Sequence, residues 1–238
     1  MAISESLSAP QLSDYSLVGL NSQIAVEKGL AEADWYQSSV PRETMRELLE
    51  RRDGPALRDT LIWFGLLACF GLLGFFLWGT WWAILPFAAY GVLYGTTSDS
   101  RWHESSHGTA FKTDWMNNLF YEISSFMVMK ESTLWHWSHT RHHSDTIVVG
   151  RDPEIAVPRP PDLKKFLLSF TGILVAKKYF QNLFLHSTGR LDPEEATYLP
   201  ESEYAKIFFQ ARISLGIYFG LLLLCLGTKS ILPLMFIV

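Results

Sequence analysis

The sequence predicts an all-α integral membrane fold, with apolar helical hairpins carrying a polar helical cap on one side of the bilayer. Three observations predict it. From Thr60 to Ser98 the chain has no charged residue and holds four Trp. That is about twice the ~18 residues at which a charge-free apolar run reads as membrane-spanning, so the run holds two spans. A further apolar run begins near Ile213. Between these runs lies a polar body that gathers six of the seven histidines into two tight clusters.

The elements divide into four stretches: 1–58, a cytoplasmic leader with an amphipathic helix; 59–98, the first transmembrane hairpin; 99–212, the histidine-rich cap; and 213–238, the third span and the start of a fourth. Residues 1 to about 40 read as a loosely ordered polar leader, without the basic start and apolar core of a secretory signal. After Pro41 the run to Arg52 is charged and helical, with Met45, Leu48 and Leu49 on one face. Asp53-Gly54-Pro55 reads as its stop. The first span is expected from about Thr60 to Trp78, with a tight turn at Gly79-Thr80. The second runs from Trp81 to about Thr97, with Pro86 as a kink, and Trp78, Trp81 and Trp82 sit at the turn as an interfacial belt. Asp99 and Arg101 mark its exit, and the first histidine cluster is expected to continue its helix. Leu119–Met129 and Phe166–Ala176 are too short to span and read as interfacial or buried helices. The third span is expected from about Ile213 to Gly227. A final apolar run of eight residues from Ile231 cannot cross a hydrocarbon core about 30 Å thick, which predicts a C-terminally truncated product.

Topology follows from the cations. Five Lys and Arg lie between Arg42 and Arg58 and thirteen between Arg101 and Arg212, whereas Lys229 is alone on the opposite side of the hairpins. Basic residues favour the cytoplasmic side, so the histidine body is expected to face the cytoplasm. Net charge is −4 and no basic patch alternates with stacking aromatics, which argues against nucleic acid. The two cysteines, Cys69 and Cys225, fall inside apolar spans, so a structural disulfide is not expected.

The clusters are His103-Glu104-Ser105-Ser106-His107 and His136-Trp137-Ser138-His139-Thr140-Arg141-His142-His143. His103 and His107 are four apart and share a helical face; His139, His142 and His143 converge likewise, and His136 extends that stripe. Imidazole is the commonest ligand for iron, copper and zinc. Five or six nitrogens with hardly any cysteine suit two metal ions better than one closed zinc site. Two other readings are open. His103-Glu104-x-x-His107 is also the zinc-peptidase pattern, although a zincin needs one further ligand and leaves the second cluster unexplained. A non-enzymatic metal binder or transporter would carry polar residues inside its spans, and these are almost free of them. His186 reads as an ordinary surface or core histidine.

H-x-x-x-H after a transmembrane hairpin, then H-x-x-H-H about 30 residues on, resembles the membrane fatty acid desaturase and alkane hydroxylase superfamily. Trp135 to Thr146, followed by Gly150-Arg151-Asp152-Pro153-Glu154-Ile155, is similar to a bacterial branch of it, and the resemblance runs from about Thr60 to the end. It implies a four-helix membrane bundle in the bacterial inner membrane with a cytoplasmic cap around two iron ions. It implies His103, His107, His139, His142 and His143 as ligands, and His136 as a ligand or supporting donor. Glu104, Asp145 and Asp152 are candidates to accept the second N–H of ligand imidazoles. The third histidine box of the family is absent, in keeping with truncation. The implied chemistry is an O₂-dependent desaturase or monooxygenase acting on unactivated C–H bonds of an apolar substrate. A fatty-acyl chain is the default, and a small non-lipid metabolite, including oxidative demethylation, is the alternative. No dinucleotide motif is present, so electrons are expected from a ferredoxin and its reductase. Lys164, Lys165, Lys177 and Lys178 are candidates to dock an acidic carrier or to meet lipid headgroups.

Overall fold

The structure, a computed structural model, describes residues 14–31, 34 and 37–236, the side chains of 98–100 excepted. The first 13 residues of the expected leader, the last two of the chain and the Asp99 side chain lie outside the described residues. The helices are α1 (Leu20–Glu27), α2 (Arg42–Leu48), α3 (Asp53–Phe76), α4 (Ile84–Gly95), α5 (Glu104–Ser106), α6 (Asp114–Met127), α7 (Ser132–Ser144), α8 (Leu163–Ser169), α9 (Ile173–Ser187), α10 (Tyr204–Thr228) and α11 (Leu232–Met235). No strand occurs among the described residues. Two stretches, Arg42–Phe76 and Glu201–Thr228, are long and apolar enough to cross a membrane. The chain divides into two compact units, one of Met1–Gln37 with Thr133–Arg212, the other of Ser38–Ser132 with Ile213–Val238.

In the second of these units the charged helix after Pro41 forms as expected but stops at Leu48. Asp53-Gly54-Pro55 does not end it; this tripeptide starts α3. A proline in the first helical turn costs no hydrogen bond, because the first four N–H groups have no intrahelical partner. The Asp53 carboxylate accepts from the Thr113 backbone N–H (2.9 Å) and hydroxyl (2.6 Å), which ties the start of α3 to the start of α6. The helix rises about 36 Å at 1.5 Å per residue, enough to cross a hydrocarbon core of about 30 Å. It ends in the expected turn, where Gly79 takes φ +88° and the Thr80 N–H and hydroxyl both donate to the Leu77 carbonyl.

α3 and α4 pack as a hairpin. Small residues let them approach: a Cβ on Gly74 would lie 2.9–3.0 Å from the Phe87 ring, and one on Gly71 would meet Phe236 and Tyr90. Trp63 Nε1 donates to the Leu93 carbonyl at 2.9 Å, and Arg101 donates to the Asp59 carbonyl at 3.0 Å while lying 5.2 Å over the Trp63 ring. Pro86 stands in the first turn of α4 and so needs no kink. α4 alone rises only about 18 Å. A 3₁₀ turn before it and a π-helical turn after it extend the helical path from Trp81 to His103. α6 is amphipathic with its polar side inward: Asn117, Tyr121, Ser124 and Ser125 are buried while Trp115, Leu119 and Ile123 are exposed. Water disfavours such a helix and lipid favours it.

The other unit holds α1, α7, α8, α9 and the start of α10. Its described leader is not loose. Leu17, Asn21 and Ala25 are buried, and the Leu17 N–H donates to Glu194 at 3.2 Å. Leu17 lies before a helix that starts only at Leu20 and Asn21 is polar, so the sequence carries no apolar period here to separate the segment from a polar leader. Cys69 and Cys225 are free thiols on α3 and α10.

Gly150 in this unit sits at φ +82°, where a Cβ would lie 2.5 Å from the Ser22 nitrogen and 2.8 Å from the Asn21 carbonyl carbon. Gly150→Ala therefore adds about 1–2 kcal/mol of left-handed backbone cost to about 1–3 kcal/mol of overpacking against a backbone that cannot yield. A clear loss of thermal stability in detergent is expected. Gly65→Ala on α3 meets nothing within 4 Å and is expected to leave the melting temperature unchanged or slightly raised.

Candidate metal centre

The first histidine pair follows the π-helical turn Ser98–His103, and α5 carries the path on. A π turn is an uncommon insertion that re-aims side chains and recurs at functional sites. It delivers His103 and His107 with their Nε2 atoms 3.3 Å apart and their rings at 74°. The chain reverses at Gly108 (φ +66°). That reversal is held by buried Asn117 of α6, whose side chain donates to the Gly108 and Phe111 carbonyls and accepts from the Phe111 N–H. Arg51 also donates to the Gly108 carbonyl. Glu104 is exposed, and its carboxylate accepts from the Thr109 hydroxyl at 3.1 Å.

The second cluster lies on α7, in the other unit. His139 Nε2 and His143 Nε2 face each other at 3.0 Å. The opposite nitrogen of His139 donates to Glu154 Oε2 at 2.9 Å, and Trp135 stacks on the ring at a centroid distance of 4.3 Å. His142 Nδ1 donates to Asp152 Oδ1 at 2.9 Å. One short segment, Asp152-Pro153-Glu154, thus supplies both acceptors. It is itself tied down: Asp152 accepts from the Glu154 N–H (2.8 Å) and the Ile147 N–H (2.8 Å), and the other Glu154 oxygen accepts from Ser138 Oγ at 2.9 Å. Asp145, fully buried, accepts from Arg151 Nε at 3.0 Å with Arg141 at 3.7 Å, and Arg141 in turn donates to the Thr197 carbonyl.

Of the carboxylates singled out in the sequence, the structure brings Asp152 against a box histidine, Asp145 against two arginines and Glu104 against a threonine. Glu154 was missed. Its signal was the acidic pair around Pro153, two residues apart, which places two carboxylates on one turn. His136 lies exposed with its ring edge-on to Trp137, outside the His139–His143 contact. Loss of surrounding water, then Lys206, pushes its pKa below the ordinary imidazole value, against a pull from Glu203. His186 is fully buried and donates through Nε2 to Glu195 at 2.8 Å.

These residues fit a metal of the kind imidazole holds. Two nitrogens bound at about 2.1 Å and subtending 90–110° at one ion sit roughly 3.0–3.4 Å apart, and the two pairs stand at 3.3 and 3.0 Å. In His139 and His142 the Nδ1 proton is held by a carboxylate, which leaves the Nε2 lone pair for a cation and strengthens it as a donor. The described ligand candidates include no thiolate, which disfavours a closed zinc site.

A family model for fatty acid desaturases matches residues 79–238, a stretch that contains both histidine clusters and α10. The chain belongs to the fatty acid desaturase family. Membership of this family, whose enzymes are typically iron-dependent, makes the protein an oxidoreductase, and its two long apolar stretches agree with a desaturase-family protein of the membrane. No significant match to a curated protein or a solved structure was found.

Removing an imidazole's outer partner typically costs about 10–100-fold in metal affinity. Asp152→Asn and Glu154→Gln are each expected to lower metal affinity by that order while α7 stays helical, measured by competitive chelation alongside circular dichroism. Thr109→Ala, which removes the partner of Glu104, is expected to leave the affinity unchanged.

Proposed function

We propose that this desaturase-family protein is an O₂-dependent oxidoreductase that attacks unactivated C–H bonds of an apolar substrate, a fatty-acyl chain in the first instance, using two iron ions. The observation that carries the reading is the paired geometry: twice over, two histidines four residues apart aim Nε2 at Nε2, within a chain of this family. His103, His107, His139 and His143 each offer one ring nitrogen. His142, with Nδ1 on Asp152, offers a fifth, and His136 is the sixth candidate. Iron, when bound, supplies the capacity to reduce O₂ and oxidise a C–H bond.

The protein's own groups do the rest. Glu154 and Asp152 hold protons on the Nδ1 atoms of His139 and His142, so that these rings do not turn their N–H toward the cation. Their negative charge also offsets part of the metal's charge. Trp135 covers one face of His139 and keeps water from it. Asp145, by gathering Arg141 and Arg151, fixes the loop from which Asp152 and Glu154 project.

The balance of the reaction needs a donor. Desaturation removes two hydrogens from the substrate and, with two electrons and two protons, converts O₂ to two waters. Hydroxylation inserts one oxygen atom and yields one water. A ferredoxin-type carrier with its reductase is the simplest source, because the chain has no dinucleotide-binding motif. The distribution of Lys and Arg supports a cytoplasmic orientation of both histidine clusters.

Metal analysis of the purified membrane protein tests this first. About two irons per chain are expected, the number that five or six imidazoles accommodate better than one. His107→Ala and His139→Ala should each lower that content, and iron-dependent O₂ uptake should appear when a reduced ferredoxin and an acyl substrate are supplied. One zinc and no iron, with peptide cleavage, would sink the oxidase reading and make Glu104 the base of a hydrolytic site.

A further inference from the structure

We propose that α8, the turn at Gly172 and the first turns of α9 form a hairpin whose tip inserts into the headgroup–acyl boundary of a bilayer containing anionic lipid. This rests on the reading of the chain as a membrane protein and adds a contact that its long apolar helices do not supply. The sequence left Phe166–Ala176 as either interfacial or buried, and the structure excludes burial. Leu167 is 67% exposed and Phe170 75% exposed; Leu163, Phe166, Ile173 and Val175 are exposed as well. An apolar tip of this kind has no reason to stand in water.

The tip is built for a dry surrounding. Ser169 Oγ donates to the Phe166 carbonyl at 2.6 Å and Thr171 Oγ1 to the Leu168 carbonyl at 2.7 Å, so both hydroxyls spend their protons on the backbone they follow. Gly172, at φ +71°, makes the reversal, and the Asp162 carboxylate caps α8 by accepting from the Lys165 N–H. In hydrocarbon, polar groups must be satisfied internally, and here the turn does so.

Cations stand at the base. Lys164 and Lys165 open α8 and Lys177 follows the exposed turns of α9, all three exposed. Lys178 lies 3.7 Å from Asp192, on the same unit. Lysine stems can lie along apolar surface while their ammonium groups reach lipid phosphate. The second half of α9 is anchored, with Tyr179, Leu183 and His186 buried, so the exposed half is a rigid extension of a packed helix. About six residues project before that anchor, roughly 9 Å at 1.5 Å per residue, which matches the roughly 5–10 Å insertion depth of interfacial helices. An acidic protein carrier would be met by the lysines but not by this much aliphatic and aromatic surface. The bilayer accounts for both.

The full chain, with Cys69 and Cys225 replaced by Ala, would carry one environment-sensitive fluorophore at Phe170→Cys, at Leu167→Cys as a second insertion site, at Thr188→Cys as an exposed control, or at Phe76→Cys on α3. Vesicles of phosphatidylcholine with or without phosphatidylglycerol, containing shallow nitroxide lipids, give the readout. Quenching at 170 and 167 is expected to exceed that at 188 several-fold and to deepen with phosphatidylglycerol. The combined Lys164→Gln, Lys165→Gln and Lys177→Gln variant should lose that deepening. Quenching by aqueous iodide at 170 equal to that at 188 overturns the proposal. Protection from both iodide and lipid nitroxide also overturns it, by placing protein on the tip. Absence of lipid quenching at 76 shows instead that the membrane reading has failed, and the proposal with it.

Discussion

The constraint on which the rest depends is that an imidazole has two nitrogens and only one can face a cation. Something must hold a proton on the other. In α7 that task falls to Asp152 and Glu154, two residues apart on one turn, which accept from His142 and His139. Much of the unit around α7 can be understood as support for that turn. Gly150 lets the loop pass against the Asn21–Ser22 backbone, where no Cβ fits. Buried Asp145 draws in Arg151, adjacent to Asp152, and Arg141 from the face of α7 itself. Removing one partner of such a buried pair leaves an uncompensated charge and typically costs about 3–5 kcal/mol. The ion pair fixes the loop's position, and the loop fixes the tautomers.

A second constraint acts on the apolar surface. A protein in water hides its large side chains, yet α3, α6, α8 and α10 expose Leu, Ile, Phe and Trp along much of their length. Association between such helices in lipid relies on close contact and hydrogen bonds rather than on expulsion of water. The α3–α4 hairpin is made that way, with Gly71 and Gly74 admitting aromatic rings and Trp63 reaching across to a carbonyl freed near the end of α4. The same logic orders α6, where Asn117 turns inward to hold the reversal after His107 and Trp115 turns outward.

Much of this was legible in the sequence because periodicity and charge are local. The apolar stretches within α3 and α10, the turn at Gly79 and the helical continuation into His103 follow from runs of apolar residues and their interruption, whereas α3 starts seven residues before the expected Thr60 and α10 nine before the expected Ile213. What was not legible depends on partners distant in the chain. Asp53-Gly54-Pro55 carries the composition of a helix stop, and only the Thr113 donors, sixty residues away, make it a start. The π turn before His103 leaves no compositional mark. The Leu17 N–H is held by Glu194, which a reading of the first forty residues cannot see.

For the candidate site, type and spacing pick out the histidines but not what each ring nitrogen contacts. Offsets of three and four put His136, His139, His142 and His143 on one stripe, and the structure then distinguishes them by what each nitrogen does. His139 and His142 donate through Nδ1 and keep Nε2, the nitrogen farther from the backbone, directed outward. His186 does the opposite: it gives Nε2 to Glu195, which also accepts from Asn182 and the Asp192 N–H, and lies wholly within its unit. A histidine that spends its outer nitrogen on a buried carboxylate stiffens a core, whereas one that spends its inner nitrogen keeps the outer one available for a ligand. That difference is a matter of tautomer and reach rather than of sequence spacing. It is why Glu154, directly after a proline and with no histidine beside it in the chain, ranks with Asp152 among the groups that orient the imidazoles of α7.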